Sequence, residues 1–261
     1  MIVSELISEI EHIAPLRLQE SYDNSGLQIG DVSQFVQGVL LCIDITEEVV
    51  DEAIEQGFNV IISHHPLLFR GLKSITGNNY IERCVIKAIT HHIVLYSAHT
   101  NLDNASGGVN HYIAQRIGLI ETSFLLPQNT EGIPSGSGII GMLPHPTDAK
   151  EFLQKIKTTF NVGCIKHTPL PSHPIQKVAV CGGSGAFLIK EAKRQKADLF
   201  ITADLKYHDF FESENLIILA DIGHYESEQF TKELISDIIR KKSCNFAIRY
   251  TNIKTNPINY L

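Results

Sequence analysis

The stretch Ile61-Ile62-Ser63-His64-His65-Pro66-Leu67 ends a run of β-type apolar residues, Phe58, Val60, Ile61 and Ile62, on two adjacent histidines. Pro66 stops the strand because it has no N–H to give to a ladder. Neighbouring side chains on a regular strand point to opposite faces. At a frayed strand end both imidazoles could instead converge on one pocket, or they could stand as a surface pair. Outward from this stretch the pattern alternates. Residues 37–45 read as a buried strand with Asp44 at its end, 46–55 as a helix closed by Gly57, and 58–63 as the strand that delivers the histidines. Residues 80–90 read as helix and 93–98 as strand. Strand and helix in alternation predict an α/β fold with a mainly parallel sheet. In such sheets functional groups gather at the carboxyl ends of strands. Asp44, His64, His65 and the segment after Ala98 all lie at such ends.

That segment runs Ser97-Ala98-His99-Thr100-Asn101-Leu102-Asp103, then a Gly107-Gly108 turn and a helix from about 109 to 117. Residues 3–14 carry apolar residues at helical spacing behind Ser4, a plausible N-cap. The loop Tyr22-Asp23-Asn24-Ser25-Gly26 reads as turn chemistry. Residues 121–135, with Pro127, Asn129, Gly132 and Pro134, read as a break between two halves, and 168–174, with three prolines, as linker. The second half alternates again, with strands near 177–181, 198–202 and 216–220, a helix to about 240 and a closing strand at 246–250.

The chain has 261 residues, 43% apolar and 20% charged, with a net charge of −7. An acidic balance disfavours nucleic acid as a partner, since phosphate-backbone binding wants a basic surface. Cys42, Cys84, Cys164, Cys181 and Cys244 are odd in number and widely spaced, which argues against a disulfide framework or a zinc ribbon. Cys42 and Cys181 lie in apolar runs and read as buried small hydrophobes. The start Met1-Ile2-Val3-Ser4-Glu5 does not read as a signal peptide. No apolar run approaches a membrane span. A cytoplasmic protein with no membrane partner is expected.

The second decisive stretch is Gly223-His224-Tyr225-Glu226-Ser227-Glu228. On a helix His224 and Glu228 share a face, close enough to share a metal. Glu226 faces away and is left out of the ligand set. Together with His64, His65, His99 and Asp103 these residues make a mixed imidazole–carboxylate set that suits zinc, iron, manganese or cobalt. Five or six such donors have room for two ions about 3.5–4 Å apart.

These motifs, in this order, resemble those of the GTP cyclohydrolase I type 2 homologue family, the Nif-three-like dinuclear metal-centre family. Asp23-Asn24-Ser25-Gly26-Leu27-Gln28, Cys181-Gly182-Gly183-Ser184-Gly185, Thr202-Ala203-Asp204-Leu205-Lys206-Tyr207-His208 and the tail Thr255-Asn256-Pro257 resemble it as well. The resemblance covers essentially the whole chain. It implies one domain, 1–261, of two similar interleaved α/β lobes with mainly parallel sheets. The lobes are placed at 1–122 and 175–261, with a short connecting segment at 123–174 too short for the small domain that larger members insert. It implies two divalent ions (zinc, iron or manganese) held by His64, His65, Asp103, His224 and Glu228, with Asp103 and Glu228 able to bridge. It puts His99 beside the ligands, as a possible support for a metal-bound water, and makes Asp44 and His208 pocket candidates. It further implies a toroidal homohexamer. Tyr22 and Ile139 depart from the family pattern, at places where tryptophan and arginine are common.

Two functions follow from the resemblance. One is a metal-dependent hydrolase acting on a small molecule such as a nucleotide, GTP cyclohydrolase-like by family label. The other is a non-enzymatic metal-binding, metal-delivery or regulatory interaction protein. The turn Gly182-Gly183-Ser184-Gly185 admits either an anion cradle at a helix start or tight strand–helix packing.

Overall fold

A computed structural model describes residues 1–242 and 245–261, so Cys244 lies outside the described residues. The helices are α1 (Val3–Ile13), α2 (Glu47–Glu55), α3 (Tyr80–Thr90), α4 (Thr100–Asp103), α5 (Val109–Ile117), α6 (Ala149–Thr159), α7 (Ile189–Arg194), α8 (His224–Glu228) and α9 (Thr231–Arg240). The strands are β1 (Gly26–Ile29), β2 (Gly38–Cys42), β3 (Val60–Ser63), β4 (Val94–Ser97), β5 (Ile120–Thr130), β6 (Ile133–Thr147), β7 (Lys166–His167), β8 (Ile175–Ser184), β9 (Leu199–Ala203), β10 (Ile218–Asp221) and β11 (Ala247–Tyr250). Local chemistry starts several helices. Thr46, Asn79 and Asp148 each accept a backbone N–H from the first turn of α2, α3 and α6, filling an otherwise orphaned donor.

Two units divide the chain. The first holds Met1–Leu102 and Phe230–Pro257. Its sheet runs β1-β4-β3-β2-β11, with β4, β3, β2 and β11 parallel and β1 antiparallel on β4. Every residue of β2, β3 and β4 is buried, as parallel strands covered on both faces require. Leu40, Ile61 and Leu95 pack with Val49, Val50 and Ala88 of the flanking helices. Each Leu, Ile or Val among them contributes about 1.5–3 kcal/mol by leaving water. The strand ends are thereby fixed, and the residues just past them inherit that rigidity.

The second unit holds Asp103–Gln229 and Ile258–Leu261. Its sheet runs β5-β6-β8-β9-β10-β7. β8, β9 and β10 are parallel, while β5 on β6, β6 on β8 and β7 on β10 are antiparallel. Leu125, Ile140, Ala179, Phe200 and Leu219 form its core with Leu188 and Ile189. The α/β class read from the sequence holds, with two interleaved units built around parallel strands.

The unit boundaries differ from those expected. Residues 123–174, read as a connector, supply most of β5 and all of β6, α6 and β7. Pro127 does not break β5, because β5 is the edge of its sheet and an edge residue can do without a ladder N–H. The final helix and strand, expected in the C-terminal lobe, belong to the first unit, where β11 pairs in parallel with β2. β2 is wholly buried and would otherwise leave one row of backbone groups without partners. Cys42, Cys84 and Cys181 are buried and Cys164 is exposed. Among the described residues no helix is long and apolar enough to cross a membrane.

Candidate metal centre

In the first unit the two histidines sit where β3 runs out. The ladder continues one step past the strand, with the His64 and His65 N–H groups donating to the Cys42 and Ile43 carbonyls at 3.2 and 2.9 Å. The Ser63 hydroxyl ties the turn by donating to the His65 carbonyl at 2.7 Å. This irregular end defeats the alternation of a strand, and the two rings come together with centroids 4.9 Å apart. His99, past the end of β4, adds a third ring at 5.2 and 5.4 Å from them. One ring nitrogen from each of His64, His65 and His99 lies within 4.8 Å of the others, a grouping able to hold a metal ion.

Each of these rings is held at Nδ1. The Ala98 carbonyl accepts from His64 at 2.8 Å, Asp44 from His65 at 2.8 Å, and Asp23 from His99 at 2.7 Å. A carbonyl or carboxylate at Nδ1 requires the proton there, which leaves Nε2 as the donor atom for a metal.

The second unit offers a different set. Gly223 enters α8 at φ 90°, and a side chain there would collide with the Glu226 carboxylate at 2.3 Å. One helical turn then places His224 Nε2 3.1 Å from Glu228 Oε2. Asp204 accepts from His224 Nδ1 at 2.7 Å, so this ring too is held at Nδ1. A carboxylate oxygen of Asp103 lies within 4.8 Å of one from Glu228. Glu228 is buried and backed by Gly183, whose φ of 60° and missing side chain leave room for a carboxylate oxygen that a Cβ would meet at 2.3 Å. Packing against Glu228 is thus one function of the glycine turn.

With the fold and these donors in view, the chain was compared with known proteins. The family model described as Duf34/NIF3 (NGG1p interacting factor 3) matches residues 1–257. The chain belongs to the Duf34/NIF3 family. Among its Duf34/NIF3 relatives, a protein of Clostridium acetobutylicum named GTP cyclohydrolase 1 type 2 homolog is 34% identical over 227 residues, 87% of this chain and 85% of that one. A protein of the same name from Streptococcus pneumoniae is 34% identical and is covered completely, as is this chain. One from Staphylococcus aureus aligns over 368 positions at 27% identity, so it carries residues that this shorter chain lacks. Among solved structures, a Bacillus cereus protein related to NIF3 superposes with a TM-score of 0.91 at 26% identity, covering 100% of this chain and 99% of that one. Reduced HcgD from Methanocaldococcus jannaschii gives 0.81 at 26% identity, with 97% and 98% covered.

The electrostatics of this Duf34/NIF3 chain follow from its partners. Burial alone would raise the Asp23 pKa, but hydrogen bonds from His99, Thr100 and Ser25, and the charge of His99, hold it well below the usual carboxylate range. Asp44 is likewise lowered, burial being outweighed by His65 and Thr255. Burial pulls His224 down, yet Glu228 and Asp204 on its two sides push it up to about 11. Burial, with the charges of Asp103 and Glu228, pushes the Cys181 thiol up.

His64, His65 and His99 are therefore together in the first unit, and Asp103, His224 and Glu228 in the second. Asp44 touches the site through His65. His208 is exposed on the turn Tyr207–Ser213, packed between Tyr207 and Phe211 at centroid distances of 5.2 and 6.1 Å. Among the described residues it joins none of the groups able to hold a metal. Ile139 is fully buried in β6, and Tyr22 is exposed and meets Phe69 edge-on.

Sequence reasoning missed Asp23 and Asp204, which orient His99 and His224. Asp23 looked like a turn residue, and its side chain is instead fully buried. Its partner lies 76 positions away, which no local spacing can reveal. The one available signal was that each aspartate sits in a stretch resembling the family.

Proposed function

We propose that this chain binds two divalent metal ions and uses them to hydrolyse a small molecule such as a nucleotide. The residues that would hold them are His64, His65, Asp103, His224 and Glu228. The observation that carries the reading is the common orientation of four histidines. His64, His65 and His99 each have Nδ1 engaged by a carbonyl or carboxylate, which makes Nε2 the ring atom able to bind a metal, and His224, held at Nδ1 by Asp204, turns its Nε2 to Glu228 Oε2 at 3.1 Å. Four histidines ordered this way fit zinc, iron or manganese, whose imidazole ligands are commonly anchored through the other nitrogen.

When bound, such ions lower the pKa of a water and polarise the group it attacks. The chain's own residues do the rest. Asp44 and Asp204 fix the ligand rings. Asp23 keeps His99 with its proton on Nδ1, so that Nε2 can accept a hydrogen bond from a nearby water. The reading carries with it the small-molecule substrate and the homohexameric assembly that the sequence resemblance implies, and the cytoplasmic setting expected from the sequence. The relatives' name, GTP cyclohydrolase 1 type 2 homolog, supports a nucleotide as the first substrate class to try.

The test is elemental analysis of wild type and of His64→Ala/His65→Ala, with circular dichroism to check folding. Stoichiometric metal in wild type and none in a folded double variant is expected, and full occupancy in the variant would sink the assignment. A nucleotide screen with manganese, zinc or iron then separates the two functions. Turnover lost in the double variant supports the hydrolase, and its absence across the screen favours a metal-binding protein without catalysis.

A further inference from the structure

The segment after β11 does more than close the first sheet. β11 lies parallel to β2, and the Thr251 N–H extends that pairing by donating to the Leu41 carbonyl at 2.9 Å. Glu52 of α2, a buried carboxylate, then grips the chain as it leaves the sheet. It accepts from the Thr251 hydroxyl, and from the Asn252 N–H and side-chain amide at 3.1 and 2.9 Å. Ile253 packs on the core of Leu40, Val49 and Ile61. Two residues further on, the Thr255 hydroxyl donates to Asp44 Oδ2 at 2.9 Å. Asp44 Oδ1 in turn holds His65 Nδ1 at 2.8 Å.

We propose that residues 251–255 form a positioning strap that fixes the His65 ring through Asp44, so that the C-terminal segment sets how well this histidine binds metal. The physical reason lies in the two oxygens of Asp44. A carboxylate anchored at one oxygen can still turn about its terminal torsion, which is broad and soft. Anchored at both, it has one orientation, and the imidazole proton it accepts has one place to be. Glu52 supplies the leverage, because its contacts to Thr251 and Asn252 hold the strap's base while Ile253 holds its middle. Thr255 is thus a positioning residue that acts on the metal through two others, and the about 10–100-fold in metal affinity that a direct partner such as Asp44 is worth sets the upper bound of its effect.

The proposal rests on the metal-binding reading, and two measurements on the full chain keep their failures apart. The first uses no metal. Nitrogen-15 imidazole spectra of chelator-treated protein report the His65 Nδ1–H. Wild type and Thr255→Ser should show a single sharp Nδ1–H resonance, and Thr255→Val, whose Asp44 is anchored at one oxygen only, should show an exchange-broadened one. Thr255→Ala serves in the same role should the valine not fold. The second is a cobalt(II) titration followed by its visible absorption, in which Thr255→Val should bind about 10-fold more weakly and Thr255→Ser close to wild type. An Nδ1–H resonance as sharp as that of wild type and unchanged cobalt affinity in Thr255→Val would overturn the strap. A wild-type chain that takes up no cobalt would overturn the metal reading, and the imidazole spectra would then decide the strap alone.

Discussion

The two donor sets are built on opposite electrostatic plans. The first unit offers three imidazoles whose Nδ1 atoms rest on Asp44, Asp23 and the Ala98 carbonyl. The second offers one imidazole among carboxylates, with Asp204 and Glu228 on its two sides and Asp103 close to Glu228. Buried carboxylates must be paired. His224 meets that demand by keeping its proton, and its pKa rises accordingly. The histidine set thus supplies geometry, and the carboxylate set supplies the negative charge that favours a cation.

Removing charge from the acidic set is the strongest way to break this comparison. Glu228→Gln keeps shape and deletes one charge, and metal affinity by calorimetry should fall by more than the ~100-fold that an outer partner is worth. An unchanged affinity would mean that Glu228 is not a ligand. Asp204→Asn comes next. It frees the outer nitrogen of His224 and should weaken binding by about 10–100-fold with the fold intact. Asp23→Asn attacks the histidine set through its support rather than its charge. Asp23 accepts from His99, from the Thr100 hydroxyl and N–H, and from Ser25. Its loss should lower the urea-unfolding free energy by about 2–3 kcal/mol, the scale of a charged hydrogen bond with its partners left unsatisfied.

The last predictions concern pH. His224 has a folded pKa raised from 6.5 to about 11. Its contribution to stability is complete below 6.5 and is lost as pH climbs toward 11. The metal-free chain should therefore have a urea midpoint that declines across that window, and more flatly in His224→Gln. Asp23 works in the other direction. Its folded pKa is depressed below 3.8, so its contribution is present above that value and is lost as pH falls through it. Acid unfolding of Asp23→Asn should be less steep than that of wild type, and equal slopes would remove Asp23 from the account.

Much of this was legible in the sequence. The apolar runs at Val39, Leu40 and Leu41 and at Val60, Ile61 and Ile62 became β2 and β3, and the helical spacing after Thr46 and Asn79 became α2 and α3. Proline misled at Pro127, since a chain does not announce which strand will be an edge. Asp44 was visible as a strand-end acid, but its task was not. Its partners, His65 and Thr255, lie 21 and 211 positions away.

The sequence by itself determined the alternation of strand and helix and the residue types able to bind metal. Both follow from local periodicity and from side-chain chemistry. Tertiary structure alone decided which carboxylate serves which ring, Asp23 for His99, Asp44 for His65 and Asp204 for His224. It also decided that the closing strand returns to β2 and that the tail after it reaches Asp44. These pairings join positions far apart in the chain, and only the packing of buried strands, which leaves each backbone row and each buried charge in need of a partner, brings them together.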